Sequence, residues 1–243
     1  VSFERVMDEF QKIMMTDKPS VGLLLLEQSG LLQHILPELV ALKGIEEVEG
    51  QKHKDNFYHT LEVVDNISEN TDNVWLRWAA LLHDIGKAVT KRFDKKVGWT
   101  FHAHEIVGSK MTVKLFRRLK LPLGNQMKYV QKLVMMSSRP IAVVTDDATD
   151  SALRRLLFDA GEDFDDLITL CKADITTKNE KKQRRFKQNF EVIEQKIKDV
   201  EERDHVRNFQ PPISGEQIME IFDIQPGKEI GILKNAIKEA ILE

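Results

Sequence analysis

Cysteine is almost absent from this sequence of 243 residues, with Cys171 standing alone. An internal disulfide is therefore excluded, and the composition fits a reducing compartment, so the cytoplasm is the expected location. Proline and tyrosine are scarce, at seven and two, against abundant Leu, Ile, Lys and Glu. That balance favours helix over sheet. No apolar run approaches the ~20 residues of a membrane span. Leu23–Leu26 is far too short and no signal-peptide pattern is present, so no membrane partner is expected. A strong charge of one sign is missing too, since the net charge is -3. What is present, 42% hydrophobic and 31% charged residues, is the make-up of a globular protein large enough to bury a real core.

Apolar residues recur at helical spacing from the first residues onward (Phe3, Val6, Met7, Phe10, Ile13, Met14). The chain opens at Val1 inside this pattern, without a methionine, and so reads as a fragment of something longer. Pro19 and Ser20 break the first helix, and Gly22–Gln28 and Leu31–Leu36 follow as shorter ones. Lys43–Gly50 is charged and glycine-flanked, as a boundary would be. Asp55 or Asn56 caps a helix through Phe57, His59, Leu61, Val64 and Ile67. The next is expected over Asn73–Lys91, then a hairpin or irregular loop over Phe93–Phe101, with helices at His104–Leu119 and Gly124–Ser138. Pro140–Asp150 reads as a loop, and Ser151–Asp159, Asp163–Thr177 and the charged Asn179–Arg203 as helices. After Pro211-Pro212, Ser214 to Gln217 has the form of a capping box, and Pro226-Gly227 precedes a last helix. The fold class is all-α. Three stretches are expected: an N-terminal helical segment over 1–49, a central domain over 50–177, and a helical tail over 178–243.

The most informative residues are His83 and Asp84 in Leu81-Leu82-His83-Asp84-Ile85-Gly86-Lys87. The pair ends an apolar helical stretch, where a polar dyad is costly to bury without a partner. Imidazole and carboxylate together suit a divalent metal. Gly86 permits close approach, and Lys87 supplies the cation that a bound phosphate requires. His59, alone on its helix, is more often a hydrogen-bonded core residue than a ligand. Asp174, near the end of a mostly apolar helix, could equally pair with an arginine. Taken together, His59, His83, Asp84 and Asp174 offer two nitrogens and two carboxylates, enough to hold an ion and leave positions for water and substrate.

The order His, His-Asp, then a distant Asp, all on helices, resembles the HD superfamily of metal-dependent phosphohydrolases. The resemblance implies that these four residues are metal ligands and that Lys87 contacts phosphate. It also draws in His104, in Phe101-His102-Ala103-His104-Glu105, as a residue near substrate or a second metal; a polar lip on a loop is the plainer alternative. In that reading Asp84 orients or deprotonates the water, while Lys87 and His104 offset charge on phosphoryl oxygens. The ion stays open among Mg²⁺, Mn²⁺, Ni²⁺, Fe²⁺ and Zn²⁺.

The flanks narrow the resemblance. Ser2 to Met14, Gly30-Leu31-Leu32 with Leu36-Pro37-Glu38-Leu39, Lys178 to Lys182, Pro212 to Glu216 and Pro226 to Gly231 look like the bacterial tRNA nucleotidyltransferases, the CCA-adding enzyme and poly(A) polymerase family. Nothing here offers that family's nucleotide-adding head, because the acidic pair Asp146-Asp147 has no strand-rich domain around it. The resemblance implies a C-terminal body and tail that holds tRNA and can hydrolyse nucleotide phosphoesters, including 2′,3′-cyclic ones. The parent's transferase head would lie upstream. Lys178–Lys187 carries six basic residues against one acidic. Lys178, Lys181, Lys182, Arg184, Arg185 and Lys187 are accordingly expected to meet RNA phosphates, although a solvated helix face explains such a run equally well. A non-catalytic tRNA-binding scaffold with a structural or vestigial metal site is the alternative function.

Overall fold

The computed structural model describes residues 2–145, 149–204 and 213–242. They form two compact units. One comprises the chain up to Pro140 together with Asp165–Gln183, and the other Ile141–Phe164 together with the chain from Arg184 onward. The fold is all-α, with two very small antiparallel sheets among the described residues.

The first unit opens with α1 (Phe3–Met14), whose buried Met7, Phe10 and Met14 recur at helical spacing. Pro19 sits at the first position of α2 (Pro19–Gln28), so Pro19 and Ser20 begin this helix and do not end α1, which stops at Met14. Short α3 (Leu31–Ile35) and α4 (Pro37–Val40) follow. The charged boundary segment runs into a hairpin of β1 (Glu47–Val48) and β2 (Gln51–Lys52), the second strand lying just past it. Asp55 caps α5 (Asn56–Ser68), its carboxylate accepting from the amides of Phe57 and Tyr58. Asn73 caps α6 (Val74–Leu82) in the same manner.

α6 is the central helix, with Leu76, Trp78, Ala79, Ala80, Leu81 and Leu82 all buried. Trp78 packs between Phe10 and Phe116, at ring-centroid distances of 5.3 and 6.2 Å. Arg77 is also buried, and its guanidinium donates to the carbonyls of Met14, the last residue of α1, and Thr16 just beyond it, each at 2.8 Å. It further donates to Ser68 at the end of α5 (3.2 Å) and to Thr71 (2.9 Å). One side chain thus satisfies backbone acceptors that two helix ends leave without partners.

The continuous helix expected over Asn73–Lys91 is not formed. α6 stops at Leu82, and a separate short helix, α7 (Lys87–Thr90), follows. The cause is local. His83 Nδ1 donates to the carbonyl of Ala80 at 2.7 Å, which occupies the acceptor that the amide of Asp84 would use in a continued helix. Tight i+3 turns then carry the chain past Asp84, with Ile85 N–H donating to Leu82 and Lys87 N–H to Asp84.

β3 (Arg92–Asp94) and β4 (Gly98–Thr100) pair with Phe93 opposite Trp99, as the hairpin alternative expected. α8 (His104–Arg118) and α9 (Asn125–Met136) pack on the α6 side of the core. α10 (Arg139–Thr145) corrects the loop expected from Pro140, because proline in the first turn of a helix costs no intrahelical hydrogen bond. Asp146-Asp147 and Pro211-Pro212 lie outside the described residues. The second unit holds α11 (Asp150–Ala160), capped by Thr149. After a 3₁₀ turn at Gly161–Asp163, α12 (Phe164–Asp174) leads back into the first unit. Most of α13 (Glu180–Asp204) belongs to the second unit and buries Phe190, Ile193, Ile197 and Val200 along one narrow stripe. In α14 (Gly215–Phe222), Ser214 and Gln217 form the expected capping box. α15 (Lys228–Leu242) joins α11 through Lys238 to Asp159 (3.4 Å) and Arg155 to Glu239 (2.8 Å).

Candidate metal centre

Three separated pieces of sequence meet within the first unit. α5 carries His59, the turn after α6 carries His83 and Asp84, and Asp174 is the last residue of α12. One potential ligand atom from each of His59, His83 and Asp174 lies within 4.8 Å of the others. Asp174 Oδ1 stands 2.8 Å from His59 Nε2 and 3.4 Å from His83 Nε2. Asp84 borders this trio, its Oδ2 lying 3.4 Å from His83 Nε2 and 3.7 Å from His59 Nε2. Donors bound ~2.0–2.2 Å from a common ion stand roughly 3–3.5 Å apart, so these spacings fit ligands that share one. Asp84 Oδ1 faces His104 Nε2 at 3.5 Å, and its Oδ2 accepts from Lys87 Nζ at 2.7 Å.

The backbone is arranged to make this meeting possible. A Cβ on Gly86 would stand 2.1 Å from the carbonyl oxygen of His104 and 2.8 Å from the amide nitrogen of Gly108. Only glycine lets the dyad's turn press against the start of α8. Ala103, just before that helix, lies in the left-handed region at φ 58°. This turn brings the Phe101 carbonyl back to accept from both the amide (3.1 Å) and Nδ1 (2.9 Å) of His104.

The partners of the Nδ1 atoms decide which imidazole nitrogens are free. In His83 and His104, Nδ1–H donates to a backbone carbonyl, so Nε2 presents its lone pair to the cluster when the ring is neutral. His83 Nε2 is fully buried and makes no hydrogen bond, although two carboxylates stand nearby. A buried polar atom left so is costly unless something else engages it. Burial lowers the His83 pKa, but the charges of Asp84 and Asp174 outweigh it and raise it to about 10. Burial likewise disfavours ionised Asp84, yet His83, His104 and Lys87 hold its pKa well below the usual carboxylate range. Asp174 is lowered as well, by His59 and His83 against its burial. The cluster is thus two carboxylates around a position that demands positive charge, supplied by a proton or by a metal ion. The donor set fits a divalent ion, with His59, His83, Asp84 and Asp174 able to hold it.

Three contributors, Lys54, Thr176 and Ser138, have no signal in the sequence pattern. Lys54 Nζ donates to Thr176 Oγ1 and lies 2.8 Å from His59 Nδ1. Burial holds its ammonium below the ordinary lysine range, with Glu62 and Asp174 opposing and Lys87 adding to the depression. Ser138 donates to Glu105, which lies 3.3 Å from His104 Nδ1. The expected RNA residues Lys178, Lys181, Lys182, Arg184, Arg185 and Lys187 all stand exposed, before and along the start of α13. Arg118, elsewhere in the first unit, donates to the Ile35 carbonyl (2.9 Å) and to Glu38 (2.7 Å).

A helical fold that gathers a histidine, a His-Asp pair and a distant aspartate defines an HD-domain protein. Residues 56–174 match the HD domain family model. Residues 1–42 match a second model, described as "Probable RNA and SrmB- binding site of polymerase A". Among curated proteins, the chain is 31% identical to the A-adding tRNA nucleotidyltransferase of Deinococcus radiodurans, over 98% of this chain and 54% of that protein. It is 30% identical to the CC-adding tRNA nucleotidyltransferase of Thermus thermophilus, over 99% of this chain and 53% of that protein. A multifunctional CCA protein of Pseudomonas fluorescens is 34% identical over 49% of this chain and 29% of its own length. The chain belongs to the tRNA nucleotidyltransferase and poly(A) polymerase family and corresponds to its C-terminal region. It spans about half the length of the first two relatives.

Proposed function

We propose that this chain is a metal-dependent phosphohydrolase acting on phosphoesters at nucleotide or RNA ends, 2′,3′-cyclic phosphates included, in a protein that also holds tRNA. The observation that carries the hydrolytic reading is the orphaned Nε2 of His83, buried between two carboxylates. A divalent ion held by His59, His83, Asp84 and Asp174 would acidify water and polarise a phosphoryl oxygen. Around it, Lys87 lies against Asp84 and can turn its ammonium to a phosphoryl oxygen, and His104 Nε2 faces the same carboxylate. Asp84, its pKa depressed, stays ionised, and as a carboxylate beside the ion it would orient the attacking water or take its proton.

The test is hydrolysis of 2′,3′-cyclic AMP by the purified chain with a panel of Mg²⁺, Mn²⁺, Ni²⁺, Fe²⁺ and Zn²⁺ and a chelator control. Turnover should require an ion, and replacing both His83 and Asp84 by alanine should lower it by at least about 10²-fold. A folded sample inactive with every ion would favour the second reading, a tRNA-holding body without chemistry of its own. That reading draws on the exposed basic residues Lys178, Lys181, Lys182, Arg184, Arg185 and Lys187 and on the match of residues 1–42. In the parent protein a nucleotidyltransferase head would then supply the chemistry.

A further inference from the structure

The three histidines of the site are not held alike. His83 and His104 each present Nδ1 to a backbone carbonyl, at 2.7 and 2.9 Å. A carbonyl can only accept, so the proton is fixed on Nδ1 and the neutral ring keeps its lone pair on Nε2, facing the carboxylates. His59 differs. Its Nδ1 faces the Lys54 ammonium at 2.8 Å and the Thr176 hydroxyl at 3.1 Å. An ammonium can only donate, so it selects the ring form with the lone pair on Nδ1 and the proton on Nε2. That proton points at Asp174 Oδ1, at 2.8 Å. The result is a closed hydrogen-bonded chain from Lys54 through His59 to Asp174, in which His59 Nε2 cannot ligate an ion.

For Nε2 to turn a lone pair to an ion, the proton must sit on Nδ1 instead. Thr176 Oγ1 is then its acceptor, and Lys54 becomes a neighbour of the wrong sign. Lys54 and Thr176 also donate and accept between themselves, so the hydroxyl can hold the ammonium while it receives Nδ1–H. We propose that Lys54 and Thr176 form a clasp that sets which nitrogen of His59 carries the proton. Lys54 favours the closed form and Thr176 the ion-binding form. Lys54 is thereby a positioning residue that competes with the ion for His59. The competition rests on His59 being a ligand, as in the proposed function; the clasp itself does not.

The test uses the full chain labelled with ¹⁵N-histidine, first treated with chelator. Long-range proton–nitrogen spectra should show His59 protonated at Nε2 in the wild type, and at Nδ1 in Lys54→Met. Lys54→Arg, which keeps a donor, should restore the Nε2–H form. Calorimetric titration with Mn²⁺ should give about tenfold tighter binding for Lys54→Met and about tenfold weaker binding for Thr176→Val, each variant being checked for native helix content by circular dichroism. Lys54→Gln serves should the methionine variant lose that content. A wild-type His59 protonated at Nδ1 would overturn the clasp. Tighter Mn²⁺ binding in Lys54→Met with the tautomer unchanged would also overturn it, because removal of a positive charge alone would then suffice. Failure of every variant to bind Mn²⁺ would overturn the ligand reading and the competition with it, whereas the nitrogen spectra would still decide the clasp.

Discussion

His83 is where the chemistry of the individual residue is sharpest. Its pKa of about 10 lies above the ordinary 6.5, so at neutral pH the metal-free ring is an imidazolium. An ion at Nε2 must displace that proton. Calorimetry of Mn²⁺ uptake at pH 7, repeated in buffers of different ionisation enthalpy, should count about one proton released per ion from this ring. A count near zero would place the ion elsewhere. The same groups shape acid and alkaline stability after chelation. A raised histidine pKa adds stability that is complete below pH ~6.5 and lost as pH rises through about 10. Depressed Asp84 and Asp174 add stability that is present above the ordinary carboxylate value of 3.8 and lost as pH falls. The melting temperature of the chelated protein should therefore be highest between about pH 4 and 6.5 and decline on both sides. Loading with an ion should remove the alkaline decline.

Elements, and the places where they end, decide whether those residues meet. The helical pattern of Asn73–Lys91 is continuous on paper, yet the chain leaves it at His83 because a side chain takes the Ala80 carbonyl. Such an ending leaves no apolar gap, no proline and no capping residue to read. The dyad itself was legible because seven consecutive residues spell it. Lys54 and Thr176 were not, since a contact across 122 residues has no local pattern, and Arg77 was hidden inside an apolar run that reads as uninterrupted core. Gly86 gives the element-scale prediction. A methyl group there meets backbone on both α8 contacts, so Gly86→Ala should destabilise the protein by ~1–3 kcal/mol. It should also weaken ion binding, because the dyad must shift to relieve the overlap. Urea unfolding read alongside Mn²⁺ titration would check both, and an unchanged midpoint would count against the close approach. For Arg77→Leu the same unfolding experiment should show a loss on the order of 3 kcal/mol, because several buried carbonyls lose their donor. Arg77→Lys should recover only part of this, a compact ammonium being unable to reach acceptors spread across a guanidinium fork.

At the scale of the whole molecule, a net charge of -3 conceals a basic segment that stands exposed at Lys178–Lys187. If that segment meets tRNA, the contacts are with phosphates and must weaken with salt. Exchanging Lys181, Lys182, Arg185 and Lys187 for glutamate should lower tRNA affinity and reduce the slope of log K against log salt by about 3. Hydrolysis of 2′,3′-cyclic AMP should be unaffected, since none of the four belongs to the metal cluster. A slope that does not change would return these residues to the status of a solvated helix face. No described helix is long and apolar enough to cross a membrane.

The guanidinium of Arg77 bears on how such a protein may be cut. The two family matches, 1–42 and 56–174, leave a gap between them where an engineer would place the scissors. Arg77 lies in the second match and its carbonyl partners at Met14 and Thr16 lie in the first. Ser20 and Asp65 bridge the same gap through two hydrogen bonds, of 2.9 and 2.6 Å. A fragment starting after the gap would carry a buried cation stripped of half its acceptors, and its failure to fold would say nothing about whether the excised domain is an enzyme. The two sequence modules are one mechanical part, and they should be inherited, expressed and assayed together.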